Sequence, residues 1–166
     1  MKARLLINPL KQELTFSCWA CCTRMLLTYY KAEIFGTDKQ LINAAGMDDA
    51  KYEDVGKSLE HFKVYNGQDD TKNIPTLEEI LEQINKTRAL IACVTEKQYS
   101  FKQNPKKGHY VVICGADDRG KLIQVIDPAD GKARWIPYSE TVYPMSSGGT
   151  MFWASTYYTK RPEDTE

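Results

Sequence analysis

At Lys86 the hydrophobic pattern of this chain changes period, and that change limits the folds open to it. Upstream, apolar residues recur three and four positions apart. Trp19, Cys22, Met25, Leu26, Tyr29 and Tyr30 follow Ser17-Cys18 in this way, and Leu77, Ile80, Leu81 and Ile84 do so in "IPTLEEILEQIN". Such spacing puts side chains on one face of an α-helix. Ser17 or Thr15 can cap the first helix through a hydroxyl, and Thr76 with Glu79 forms a capping box for the second. Shorter helices are expected from Thr37-Asp38 to before Gly46, and from Tyr52 to His61. Downstream of Lys86 the pattern turns to strands. "RALIACV" reads as a buried strand, "HYVVICGA" and "LIQVID" as a hairpin about "DDRGK", and "KARWIPY" and "TMFWASTYY" as two more. A short strand at Leu5 to Ile7, polar loops at "GQDDTKN" and "QYSFKQNPKKG", and a frayed tail "TKRPEDTE" complete the reading. Helices first and an antiparallel sheet second make an α+β arrangement. The 166 residues suit one domain, with enough length to bury a core unaided by metal or disulfide.

Charge and composition exclude several classes. The 22 basic and 22 acidic residues cancel, and no basic block is present, so neither nucleic acid nor an anionic membrane is an expected partner. No apolar run approaches the ~18 to 20 residues of a membrane span. The N-terminal apolar stretch stops at Pro9, short of the about 7 to 15 residues a secretory signal uses. The expected location is cytoplasmic, or outside the cell by a route without such a signal. Five cysteines, an odd number, argue against a disulfide framework. Cys18 and Cys21 form a C-x-x-C, but no second pair accompanies them and the histidines are His61 and His109, so a four-ligand zinc site is not expected. No cofactor is implied.

The chemistry concentrates at two places. Cys18 stands where the first helix begins, and a helix N-terminus stabilises a thiolate through its dipole and its unpaired N–H groups. Cys21 and Cys22 lie a turn further in, where that effect has faded. They read as core, with Cys21 able to sit at the boundary. His109 opens a strand directly after Gly108, and Asp127 ends the returning strand of the same hairpin. Antiparallel pairing brings the start of one strand beside the end of the other, so the two are expected as neighbours. The imidazole can then exchange a proton with Cys18 while the carboxylate holds its tautomer. Turn chemistry competes for Asp127 in Asp-Pro, and it fully explains Asp117 and Asp118 at the hairpin tip. Gln12, six residues before Cys18, can offer an amide N–H to a developing oxyanion beside the Cys18 N–H. His61 reads as a surface residue.

Gln12 followed by Ser17-Cys18-Trp19-Ala20 at a helix start resembles the papain-like cysteine peptidases. "GHYVVICGADDRGKLIQVIDPADG" resembles their compact bacterial branch, the C39-like and AvrRpt2-like proteins. The resemblance implies a papain-like fold with a helical lobe over roughly residues 10–86 and a β lobe over roughly 87–160. It implies Cys18 as nucleophile, His109 as general base and acid, Asp127 as the residue orienting His109, and Gln12 as oxyanion donor. Trp19 and Gly108, beside the two reacting residues, are expected on the substrate side of the cleft. The expected activity is a thiol hydrolase cleaving peptide or isopeptide bonds in a protein or peptide substrate, with a bacterial effector or toxin as one role. Acyl transfer on the same triad and an inactive papain-fold binding module are the alternatives. The chain departs from plant papains in carrying Thr15-Phe16 before Ser17-Cys18-Trp19, in an Asp at the third position, and in a Cys-to-His separation of 109 − 18 = 91 residues.

Overall fold

Helix formation at Ser17-Cys18 sets the centre of the molecule. The computed structural model describes residues 1–49, 51–70, 74–96, 108–139, 141–144 and 149–164. In chain order the elements are β1 (Lys2–Arg4), α1 (Cys18–Tyr29), α2 (Asp38–Ala45), α3 (Val55–His61), β2 (Tyr65–Asp70) and α4 (Leu77–Asn85). Then follow β3 (Leu90–Thr95), β4 (His109–Asp117), β5 (Leu122–Asp127), β6 (Lys132–Pro137), β7 (Val142–Pro144) and β8 (Thr150–Thr159). The strands form one antiparallel sheet in the order β2-β8-β3-β4-β5-β6, with β1 also paired to β4 and β7 to β8. The α+β expectation holds.

The helix ends follow local chemistry. Thr37 caps α2 by accepting from the Gln40 N–H, and Gly46 closes it in the left-handed conformation. Asp54 caps α3. The Thr76–Glu79 capping box on α4 is present in both directions. The first helix is buried more completely than its stripe predicts, since every residue from Cys18 to Leu27 is buried. It lies between α2 and α3 on one side and β4 on the other. The Thr23 and Ser58 hydroxyls meet at 2.7 Å to tie it to α3. The Tyr30 hydroxyl receives the Ala89 N–H at 3.0 Å and sits 2.6 Å from Thr159 Oγ1, fastening its far end to the sheet.

Four expectations need correction. The first strand is Lys2–Arg4 rather than Leu5 to Ile7. It borders β4, and the Leu5 N–H adds one more bond to the Cys114 carbonyl at 2.7 Å. Leu5 and Ile7 are buried without being strand, so their apolar character marked burial and not the element. Most of "GQDDTKN" belongs to β2, an edge strand whose pairing is supplied by β8, while residues 71–73 lie outside the described set. The short β7 escaped notice. The tail does not fray through Asp164, because the Lys160 N–H bonds the Val64 carbonyl at 2.9 Å and Asp164 pairs with buried Arg88 at 3.2 Å. The expected loop "QYSFKQNPKKG" falls outside the described residues except for Gly108.

Candidate active site

The first residue of α1 is Cys18, with Ser17 at the capping position. The preceding loop is held against the far end of the hairpin. The Gln12 N–H donates to the Pro128 carbonyl at 2.7 Å. Gly131, at φ +68°, permits this approach, because a Cβ there would lie 2.9 Å from the Lys11 backbone nitrogen. The turn after Asp127 and the loop before Cys18 are thereby packed into one unit.

His109 is the first residue of β4 and pairs with Val94 of β3. Between β4 and β5 the register runs Val112 to Ile126 and shifts between Ile113 and Gly115. Continued one rung, it sets Asp127 opposite Val111, diagonal to His109 on the same face. The side chains meet there: His109 Nε2 lies 2.5 Å from Asp127 Oδ1. The same oxygen accepts the Ala129 N–H at 2.9 Å, and Oδ2 accepts the Tyr143 hydroxyl at 3.3 Å. Asp127 is wholly buried. Burial alone would raise its pKa, but the His109 hydrogen bond and charge, with the Ala129 N–H, hold it below the usual carboxylate value.

With Nε2 engaged by Asp127, Nδ1 is the ring nitrogen left for Cys18, whose sulfur is close enough to the same imidazole to raise its pKa. Burial pushes the His109 pKa down. The hydrogen bond to Asp127, the nearby Cys18 sulfur and the charge of both partners outweigh it and carry the value up to about 9. An imidazolium therefore persists at neutral pH between a carboxylate and a sulfur. The other thiols lie in different surroundings. Burial is the main cause raising the pKa of Cys21 and Cys22, and it takes Cys114 up to about 12. None of the five cysteines forms a disulfide.

Cys18 is only 1% exposed, while the His109 side chain is 18% exposed. Phe16 and Tyr52 meet edge to face at 4.8 Å nearby, and Tyr52 feels the charge of both Cys18 and Glu96.

The remaining expected residues fall differently. Gln12 belongs to the loop beside Cys18, but its Nε2 donates to the Leu14 and Thr15 carbonyls at 3.0 and 3.2 Å, and its Oε1 is buried without a partner. Trp19 is fully buried, with an indole N–H lacking a partner, so it belongs to the core and not to the substrate side. One step along the helix turns its side chain about 100° away from that of Cys18. Gly108 is explained by packing, since a Cβ there would lie 2.6 Å from Cys93 Sγ and 3.0 Å from the Val94 carbonyl. His61 is exposed and packs edge to face on Phe62. Among the described residues no group of three or more His, Cys, Asp or Glu is placed to hold a metal, and no helix is long and apolar enough to cross a membrane. Tyr143 and the Phe16–Tyr52 pair were not singled out from sequence. Tyr143 lies in "VYP", where only the rung to Met151 on β8 brings its hydroxyl to Asp127.

Comparison with known proteins bears on the family and the fold. No curated protein sequence matches the chain. The chain is similar in structure to a double glycine motif protease from an AMS/PCAT transporter, solved in complex with the leader peptide. The TM-score is 0.58 and the identity 18%, over 95% of this chain and 94% of that one. At that identity the likeness concerns the fold, which is papain-like. The model of the Peptidase_C39 like family matches residues 5–151, a span that contains Gln12, Cys18, His109 and Asp127. With sequence span and fold in agreement, the chain belongs to the Peptidase_C39-like family of the papain-like cysteine peptidase superfamily.

Proposed function

We propose that this protein is a cysteine peptidase whose nucleophile is Cys18. The observation that carries the reading is a single imidazole hydrogen-bonded to Asp127 at 2.5 Å, with the Cys18 sulfur near enough to the same ring to raise its pKa. The Cys18 sulfur attacks the scissile carbonyl carbon. The oxyanion that forms lies at the start of α1, within reach of the Cys18 N–H, and Gln12 joins it by exchanging one of its two loop carbonyls for the oxyanion. His109 passes its proton to the leaving amine, which departs and leaves a thioester. A water molecule then gives a proton to His109 and attacks the thioester, releasing the acid and restoring the thiolate–imidazolium pair. Asp127 keeps the ring in the orientation that both proton transfers need.

The substrate class we propose is a peptide with small residues on the acyl side of the scissile bond. Two observations support it. Cys18 is only 1% exposed, which leaves little room for a bulky side chain next to the reacting carbonyl. The structurally similar protein is a double glycine motif protease.

The test is an intact-mass screen of wild type against Cys18→Ala with three substrate sets: Gly-Gly leader-type peptides, ubiquitin conjugates and peptidoglycan fragments. Cleavage of the first set by wild type alone is the expected result, with free acid as product. Products carrying an added amine instead would establish acyl transfer. No turnover, with Cys18 alkylated no faster than Cys93 or Cys114, would establish an inactive binding module.

A further inference from the structure

The capping position of α1 holds a serine that does not cap. Ser17 makes no side-chain bond to the helix, and its backbone, at φ −99° and ψ 16°, lies outside the extended region that capping residues use. Its hydroxyl is engaged elsewhere. Ser17 Oγ lies 2.7 Å from Asp38 Oδ2 and 3.1 Å from the Leu14 carbonyl. A hydroxyl has one proton, and the shorter, charge-assisted bond to the carboxylate claims it. The Leu14 N–H in turn donates to Ser17 Oγ at 3.0 Å.

Asp38 is fully buried and is placed to do this. Thr37 already caps α2, so the Asp38 carboxylate is free for other partners. Oδ1 receives Arg24 Nη1 at 2.7 Å, and Oδ2 receives the Glu13 N–H at 2.9 Å as well as Ser17. Arg24, itself buried on α1, is fixed by the Phe35 and Gly36 carbonyls at 3.1 and 2.9 Å. A buried ion pair gains little net stability over apolar packing of the same volume. What it accomplishes here is positional: the loop from Glu13 to Ser17 is fastened to α2 and to the body of α1.

We infer that Asp38 is a positioning residue that holds the Ser17 hydroxyl away from the first turn of α1, leaving those N–H groups to the Cys18 sulfur and the oxyanion. The inference rests on the reading of Cys18 as nucleophile. Were Ser17 released, its hydroxyl would take the ordinary capping role and compete for the same donors.

A double-mutant cycle separates this from the loss of a charge. Cys18 alkylation rates are measured at pH 6.5 for wild type, S17A, D38N and S17A/D38N, with folding checked by near-UV circular dichroism. In D38N the remaining oxygen faces Arg24, and an NH2 faces Ser17, so the hydroxyl loses its carboxylate acceptor and keeps only the longer contact to the Leu14 carbonyl. Both D38N proteins lack the charge, so their difference reports the hydroxyl alone. S17A should match wild type within about twofold, whereas S17A/D38N should alkylate about five- to tenfold faster than D38N, the equivalent of one capping interaction. Equal effects of S17A in both backgrounds would overturn the inference. So would a large loss in S17A alone, a result available even if D38N fails to fold; the cycle is then repeated with D38S. If wild type labels Cys18 no faster than Cys93 or Cys114, the nucleophile reading itself fails, which is a different outcome.

Discussion

His109 has two partners and needs both. Its ring is charged at neutral pH because a buried carboxylate and a thiol oppose the burial that would otherwise deprotonate it. Asp127 can hold that charge only while its own oxygens are satisfied, and Tyr143 supplies the donor to Oδ2. Tyr143→Phe leaves that oxygen buried without a side-chain donor. The expected cost is about 1 to 2 kcal/mol in urea denaturation, with a several-fold fall in kcat and little change in KM. Unchanged stability would mean that the 3.3 Å contact contributes nothing. The pairing of His109 with Asp127 was legible in the sequence because a tight turn between two apolar strands dictates which residues lie opposite one another. Tyr143 was not legible, since its hydroxyl reaches Asp127 only through the placement of β7 on β8. Trp19 shows the opposite error. Proximity in sequence to Cys18 suggested a place in the cleft, and helix geometry turned the ring into the core.

At the scale of elements, two turns bring the halves of the site together. The α1 start is carried by a loop that rests on the turn after β5, through the Gln12 to Pro128 bond and the close approach of Gly131 to Lys11. Gly131→Ala meets both a positive φ and a backbone nitrogen 2.9 Å from the new Cβ. The expected result is a loss of about 1 to 3 kcal/mol in stability, accompanied by slower Cys18 alkylation as the loop is displaced. Alkylation unchanged in a destabilised protein would show that the turn does not position the sulfur. Elements with their own signals were readable: the Thr76–Glu79 box, the Thr37 and Gly46 ends of α2, and the apolar runs of β4 and β5 on either side of their turn. The edge strand β2 was not. β2 is largely polar and takes its order from β8, so no apolar period announces it.

Over the whole molecule, α1 is the shared core of both halves. It is enclosed by α2, α3 and β4, which fixes Cys18 relative to His109 through packing rather than through a hinge. The fold class was readable because the change of period at Lys86 separates helix from sheet. The Asp38–Arg24–Ser17 arrangement was not, because buried charges carry no periodicity and Asp38 reads as an ordinary first-turn acid. The central claim is that Cys18 and His109 share a proton as an ion pair, and the rate of Cys18 alkylation at pH 6 tests it most directly, with Cys93 and Cys114 as internal references. An unassisted thiol ionising near pH 8.5 is only about 0.3% thiolate at that pH. Wild type should therefore exceed His109→Ala by about two orders of magnitude at pH 6, and the two should converge as pH rises through about 9, where the imidazolium gives up its proton. Equal rates in the two proteins at pH 6 would contradict the account.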